Sequence, residues 1–211
     1  MSTPKPKLKL KVIMLGKTTV GKTSIAIRLT NGRHNEQVSA TVGASFIMAD
    51  RGNIKYDIWD TGGQERFRCL MPMYIRDSRI VIFVFDVTDL TTLDILDNYT
   101  SDLSGLKNSY IIIIGNKMDL LDDEQLQSVV NIIKDKLELL TLKDKVYDCV
   151  LVSAKTGENF DNFLQKLHSC AKECKHNDKE SSKNTKIVQI EEVKNVQLTK
   201  IDQTDDSQCI C

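Results

Sequence analysis

The chain has 211 residues, 41% hydrophobic and 27% charged, ordinary values for one soluble globular domain with room for a large core. Its 29 Lys plus Arg balance its 29 Asp plus Glu, so it lacks the basic excess of a nucleic-acid footprint. No apolar run approaches the ~20 residues of a membrane-spanning helix, no apolar core follows the first seven residues, and Ser2 argues against N-myristoylation; the expected address is cytosolic.

Residues 9–15 alternate weakly and then turn apolar, which predicts a strand. Residues 21–30 carry Ile25, Ile27 and Leu29 among polar residues and read as a helix, with Gly32 as its C-cap signal. Residues 44–48 and 54–59 read as two strands joined by a hairpin-type turn at Arg51-Gly52-Asn53. Residues 80–85, 110–114 and 146–152 are β-branched or apolar runs of the kind found in strands buried on both faces. Helices are expected at 93–106, 124–139 and 159–175. This alternation predicts an α/β fold: a mostly parallel six-stranded sheet with one antiparallel edge strand and helices on both faces. From residue 177 aromatics vanish and polar residues dominate, so the reading is a domain over 1–176 and a flexible tail over 177–211. Cys170 and Cys174 lie between His168 and His176, but on a helix the histidines point about 200° from the cysteines. The expected reading there is helix surface rather than a metal site.

The stretch "GKTTVGKTS" fits G-x-x-x-x-G-K-S/T through Gly16, Gly21, Lys22 and Thr23. It sits between a predicted strand and a predicted helix, the context a phosphate-binding loop requires. Such a loop points the amides of Thr18, Thr19, Val20, Gly21 and Ser24 at phosphate oxygens, and the helix N-terminus adds partial positive charge. Lys22 reaches the β- and γ-phosphates, and the Thr23 hydroxyl ligates Mg²⁺. Three more stretches stand at strand ends, where open α/β sheets bind ligands: "DTGGQERF" from Asp60, "NKMD" from Asn116 and "SAK" from Ser153.

Together these motifs resemble the small GTPases of the Ras superfamily, over about residues 8–175. The resemblance implies GTP/GDP as ligand with Mg²⁺, and GTP hydrolysis as the reaction. A carboxylate accepts both N1–H and N2–H of guanine, so Asp119 selects that base, and adenine would leave the acceptor unpaired. By the same resemblance Asn116 contacts the base and braces the phosphate loop. Lys117 lies along the ring, and the Ala154 amide, in the loop with Ser153 and Lys155, meets O6. An alternative for Asp119 is a helix N-cap before "LLDDEQ". Thr41 stands at the spacing of the family's first switch and would join Thr23 and Asp60 at Mg²⁺. The Gly63 amide would meet the γ-phosphate, and Gln64 would orient the attacking water. His34 falls where an aromatic ring packs on guanine edge-on; a solvent-facing histidine is the alternative.

"WDTGGQERF", "MPMYIR" and the terminal Cys209-Ile210-Cys211 resemble the Rab branch, and "TVGASF" leans toward its endosomal members. Phe46, Trp59 and Tyr74 match the aromatic triad that Rab proteins present to effectors. A buried core cluster is the plainer alternative. Cys209 and Cys211 look like the Rab signal for two geranylgeranyl groups. Residues 177–211 hold five lysines and seven acids, so the tail lacks a polybasic second anchor and two lipid chains are expected. The implied partners are an exchange factor, a GTPase-activating protein and effectors at the switch regions, with prenyl-transfer and membrane-extraction machinery at the tail. The chain is expected to be a monomer without nucleic acid, on the cytoplasmic face of an endosomal or vesicular membrane.

Departures from the family pattern bear on rate. Thr18 and Thr19 replace smaller residues, and Gly62-Gly63 replaces Ala-Gly. Methyl bulk at Thr18 lies nearest to where Gln64 works, which predicts slow intrinsic hydrolysis. A nucleotide-locked pseudo-GTPase is the alternative. A P-loop kinase would need an arginine-rich lid, and residues 89–110 contain no Arg.

Overall fold

The computed structural model describes residues 7–35 and 39–179, without the side chains of 65–67 and 177–179. The tail beyond, with Cys209 and Cys211, lies outside the described residues. Six strands form one sheet: β1 (Leu8–Leu15), β2 (Ala44–Arg51), β3 (Ile54–Thr61), β4 (Ile80–Asp86), β5 (Tyr110–Asn116) and β6 (Val146–Leu151). Their order is β2-β3-β1-β4-β5-β6, with β2 antiparallel to β3 and every other pair parallel. This is the sheet the sequence predicts.

Strand alternation builds two cores, one on each face. Val12, Met14, Ile82, Val84, Ile112 and Ile114 point to one side. There they meet Ile25 and Leu29 of α1 (Lys22–Asn31) and Phe163 and Leu167 of α6 (Phe160–Lys179). Ile13, Leu15, Val81, Phe83, Ile111 and Ile113 point to the other. That layer is covered by α2 (Met71–Ile75), α3 (Thr91–Asp94), α4 (Thr100–Ser104) and α5 (Asp123–Leu139). Every residue of β4 is buried, and each such aliphatic or aromatic side chain contributes about 1.5–3 kcal/mol by leaving water.

Three expectations need correction. The helix expected over 93–106 is broken into α3, a 3-10 segment Ile95–Tyr99, and α4. The cause is local: Thr92, Thr100 and Ser104 turn their hydroxyls back onto the carbonyls of Asp89, Asp97 and Ser101. Such bonds compete with the α-helical ladder and favour the tighter 3-10 turn. Cys170 and Cys174 are not surface residues; both are fully buried in the α6 face of the core. The last helix, expected over 159–175, runs from Phe160 to Lys179.

Candidate functional site

The carboxyl ends of β1, β3, β5 and β6 carry the four motif loops to one end of the sheet. At the phosphate-loop end, residues 16–21 join β1 to α1. Gly21 has φ 99, and a Cβ there would lie 2.2 Å from Asn116 Nδ2, so conformation and space both require glycine. The Lys22 side chain is buried and arches over the loop, its ammonium donating to the carbonyls of Gly16 (2.9 Å) and Lys17 (2.7 Å). Burial lowers its pKa to about 8, against the pull of Asp60.

A cavity of about 370 Å³ opens beside it. One wall is Thr18, Thr19, Gly21, Lys22, Thr23 and Ser24; Thr41, Thr61, Gly63 and Gln64 face them. Three oxygens from three segments converge where Thr23 and Thr41 line it. Thr23 Oγ1 donates to Asp60 Oδ2 at 2.6 Å, Thr41 Oγ1 does so at 3.2 Å, and the two hydroxyls are 2.9 Å apart. Asp60 is fully buried, and its Oδ1 has no hydrogen-bond partner among the described residues. Burial raises its pKa, opposed by Thr23, Lys22 and Thr41. An enclosed carboxylate oxygen without a donor beside two hydroxyl oxygens is a hard-oxygen donor set, which fits a divalent cation such as Mg²⁺. Gly63 presses on the loop: a Cβ there would meet the Lys17 carbonyl carbon and the Thr18 nitrogen at 2.4 Å.

The opposite end is braced by protein alone. Asn116 donates through Nδ2 to the Val20 carbonyl (2.8 Å) and accepts at Oδ1 from the Ala154 amide (2.9 Å). One side chain therefore ties the phosphate loop to the 153–155 loop. The Ala154 amide, expected at a purine oxygen, here donates to Asn116 instead. Lys117 has φ 71 and pairs with Asp86. Burial works to raise the Asp86 pKa, but Lys117 and the hydroxyl and amide of Thr88 together hold it below the usual value. Ser153 is buried, its hydroxyl accepting from the Thr156 amide (3.0 Å). Asp119 is half-buried in a short 3-10 turn, Met118–Leu120. It is not the N-cap of the following helix: Asp122 fills that role in a capping box with Gln125. His34 is half-buried, and its Nδ1 is enclosed without a hydrogen-bond partner among the described residues.

A model of the Ras family matches residues 11–173. The chain belongs to the Ras family. It is 34% identical over 168 residues to Ras-related protein Rab-5B of Plasmodium falciparum, covering 76% of this chain and 77% of that protein. It is 37% identical over 169 residues to GTP-binding protein YPT53 of Saccharomyces cerevisiae, covering 77% and 76%. It is 43% identical over 119 residues to human Ras-related protein Rab-22A, covering 54% and 61%. The chain is thus a Rab-type small GTPase, and the family implies GTP binding and hydrolysis.

In this Rab-type GTPase the three aromatic residues form one cluster. Phe46 packs edge-on to Trp59 at 5.4 Å between centroids, and Trp59 tilts against Tyr74 at 5.7 Å. Trp59 and Tyr74 pack against the core while Phe46 is 49% exposed, so the cluster is closed on one side only.

The sequence reading missed two residues. Asp86 was legible as a carboxylate ending a buried strand on the ligand side of the sheet. Arg28 had no signal beyond being a cation on α1. It donates to the carbonyls of Ala154 and Lys155, in the loop expected to read the base.

Proposed function

We propose that the chain is a membrane-anchored, GTP-hydrolysing switch that recruits effectors in vesicle traffic. The observation that carries this reading is the convergence of Thr23, Thr41 and Asp60 beneath a lysine-capped loop, with one Asp60 oxygen enclosed and unpartnered. Thr23, Thr41 and Asp60 would hold Mg²⁺, Asp60 through water. The bound ion would neutralise phosphate charge as the γ-phosphoryl group leaves. Lys22 swings from the loop carbonyls to the phosphate oxygens. Gln64 orients the water, and the Gly63 amide and Thr41 contact the γ-phosphate. Release of that phosphate removes what tethers Thr41 and Gly63, and both loops relax.

At the base, Asp119 accepts the two adjacent guanine donors. Its freedom from helix capping supports that role. Asn116, Lys117, Ser153, Ala154 and Lys155 shape the pocket, and His34 packs against the purine edge. Phe46, Trp59 and Tyr74 meet effectors in the GTP form. An exchange factor and an activating protein act on the same loops. Cys209 and Cys211 carry two prenyl chains that hold a monomer on an endosomal or vesicular membrane. Among the described residues no helix is long and apolar enough to cross one. The runner-up, a nucleotide-locked binding module, rests on Thr18, Thr19 and Gly62, where the chain departs from the family pattern.

The test is nucleotide affinity with and without Mg²⁺, followed by phosphate release. Tight GTP and GDP binding that weakens on chelation, with ATP ignored, is expected. Equal retention of ATP, or indifference to Mg²⁺, would end the proposal, and binding without phosphate release, even with an activating extract, would select the runner-up.

A further inference from the structure

The loop expected to read the purine, 153–155, is tied at Ser153 to Thr156, Gly157 and Glu158, and residues outside it reach its second half: Asn116 and, from α1, Arg28. Its Nε donates to the Ala154 carbonyl at 2.7 Å and its Nη2 to the Lys155 carbonyl at 2.8 Å, across 126 and 127 residues of sequence. Two consecutive carbonyls match the rigid fork of a guanidinium, which a lysine ammonium cannot reproduce. The group is half-buried, with Phe160 and Gly157 beside it. Its central carbon lies 5.8 Å from the Phe160 ring centroid, and a Cβ at Gly157 would come within 2.6 Å of Nη1. On the amide side of the same residue, Ala154 N–H donates to Asn116 Oδ1. Ala154 is therefore held on both sides, by Asn116 at its N–H and by Arg28 at its C=O.

We infer that Arg28 is a positioning residue for base recognition, holding the Ala154–Lys155 backbone where the 6-oxo group of a guanine nucleotide docks as the Ala154 amide exchanges Asn116 Oδ1 for it. The inference rests on the guanine-binding reading above. It adds that α1, whose first turn meets the phosphates, also sets the loop that meets the far edge of the base. Arg28 touches neither substrate nor reacting atoms; it acts through the backbone of residues 154 and 155.

The test uses the full chain and three diphosphates. GDP presents all three guanine groups. Inosine diphosphate lacks the 2-amino group and reports on Asp119, which belongs to a different loop. The 6-thio analogue of GDP keeps both donors but weakens the acceptor at position 6. In Arg28→Met, GDP is expected to dissociate roughly tenfold faster, the scale of losing charge-assisted bonds to one loop. The preference for GDP over its 6-thio analogue should shrink toward unity while the preference over inosine diphosphate stays. Arg28→Lys should fall between, and it carries the test if the methionine variant does not fold. Equal acceleration for all three ligands, with both preferences intact, would overturn the inference and leave Arg28 a plain structural link. A wild-type chain that prefers GDP over inosine diphosphate but not over the 6-thio analogue would overturn it too. A wild-type chain with no preference for GDP over either would sink the guanine reading itself.

Discussion

The two ends of the candidate nucleotide site are built differently. The base end is cross-braced by its own residues: Asn116 bonds to Val20 and Ala154, Arg28 to Ala154 and Lys155, and Lys117 to Asp86. The phosphate end is held together by groups that lack their best partners. Lys22 donates to carbonyls of its own loop, and Asp60 keeps a buried oxygen without a donor. The base end carries more bonds among its own residues, although His34 Nδ1 there is also enclosed without a partner among the described residues, while the phosphate end presents an ammonium and a buried carboxylate. Such an asymmetry suits a switch, in which the more braced end retains the nucleotide and the other responds to the number of phosphates.

The largest expected effect comes from Lys22→Met. It removes the cation that reaches the phosphates, so GDP affinity should fall by a factor of about 100 or more, measured by fluorescence titration. Yet the nucleotide-free protein should melt no lower than wild type, because the desolvation cost of burying the ammonium offsets its two bonds to the loop carbonyls. A lower melting point without nucleotide would mean that Lys22 braces the apoprotein, and the contrast between the ends would fail.

Asn116→Ala is the converse. It strands the Val20 carbonyl and the Ala154 amide, both in buried residues, so the nucleotide-free protein should lose about 2–4 kcal/mol in urea unfolding. An unchanged midpoint would show that the base end is not braced in the absence of ligand.

What was legible in the sequence follows the same division. Runs such as "IVIFVF" and "YIIII" announce buried parallel strands, because few other structures bury every side chain in a row. The motif residues were legible because phosphate and purine chemistry narrows the choice at each position. The joints were not. Arg28 works on carbonyls, which every residue has, so nothing in residues 154 and 155 advertised it. The break at Ile95–Tyr99 depends on three hydroxyls choosing backbone over water. The burial of Cys170 and Cys174 was readable and was misread: Phe163, Leu167, Cys170 and Cys174 recur at spacings of one helical turn and form the core face of α6.

A smaller effect is expected where the phosphate end meets the attacking water. Thr18 lines the cavity with Gln64, and Gly63 already lies against the Thr18 backbone. Thr18→Gly should speed single-turnover GTP cleavage a few-fold, on the order of 1 kcal/mol in the barrier. Equal rates would remove steric bulk at this position as a brake and leave the rate to Gln64 and its surroundings.

The smallest effect tests strain. Each end holds one non-glycine residue in the left-handed region, Thr19 at φ 64 and Lys117 at φ 71. They are not equivalent. Lys117 is unbranched, and its conformation is repaid by the ion pair with Asp86 and by the Met118 amide bonding to the Val152 carbonyl. Thr19 is β-branched, which makes the left-handed region costlier, and its hydroxyl has no hydrogen bond among the described residues. Thr19→Asn keeps a polar side chain, tolerates that backbone region, and avoids the extra unfolded-state freedom that glycine would bring. It should raise the unfolding free energy of the GDP-bound protein by about 1 kcal/mol and that of the nucleotide-free protein by less. The strain belongs to the loop in the state that grips phosphate, so the variant should also slow GDP release. A gain in apoprotein stability without slower release would mean that the loop keeps its shape when empty, and that the phosphate end is as preformed as the base end.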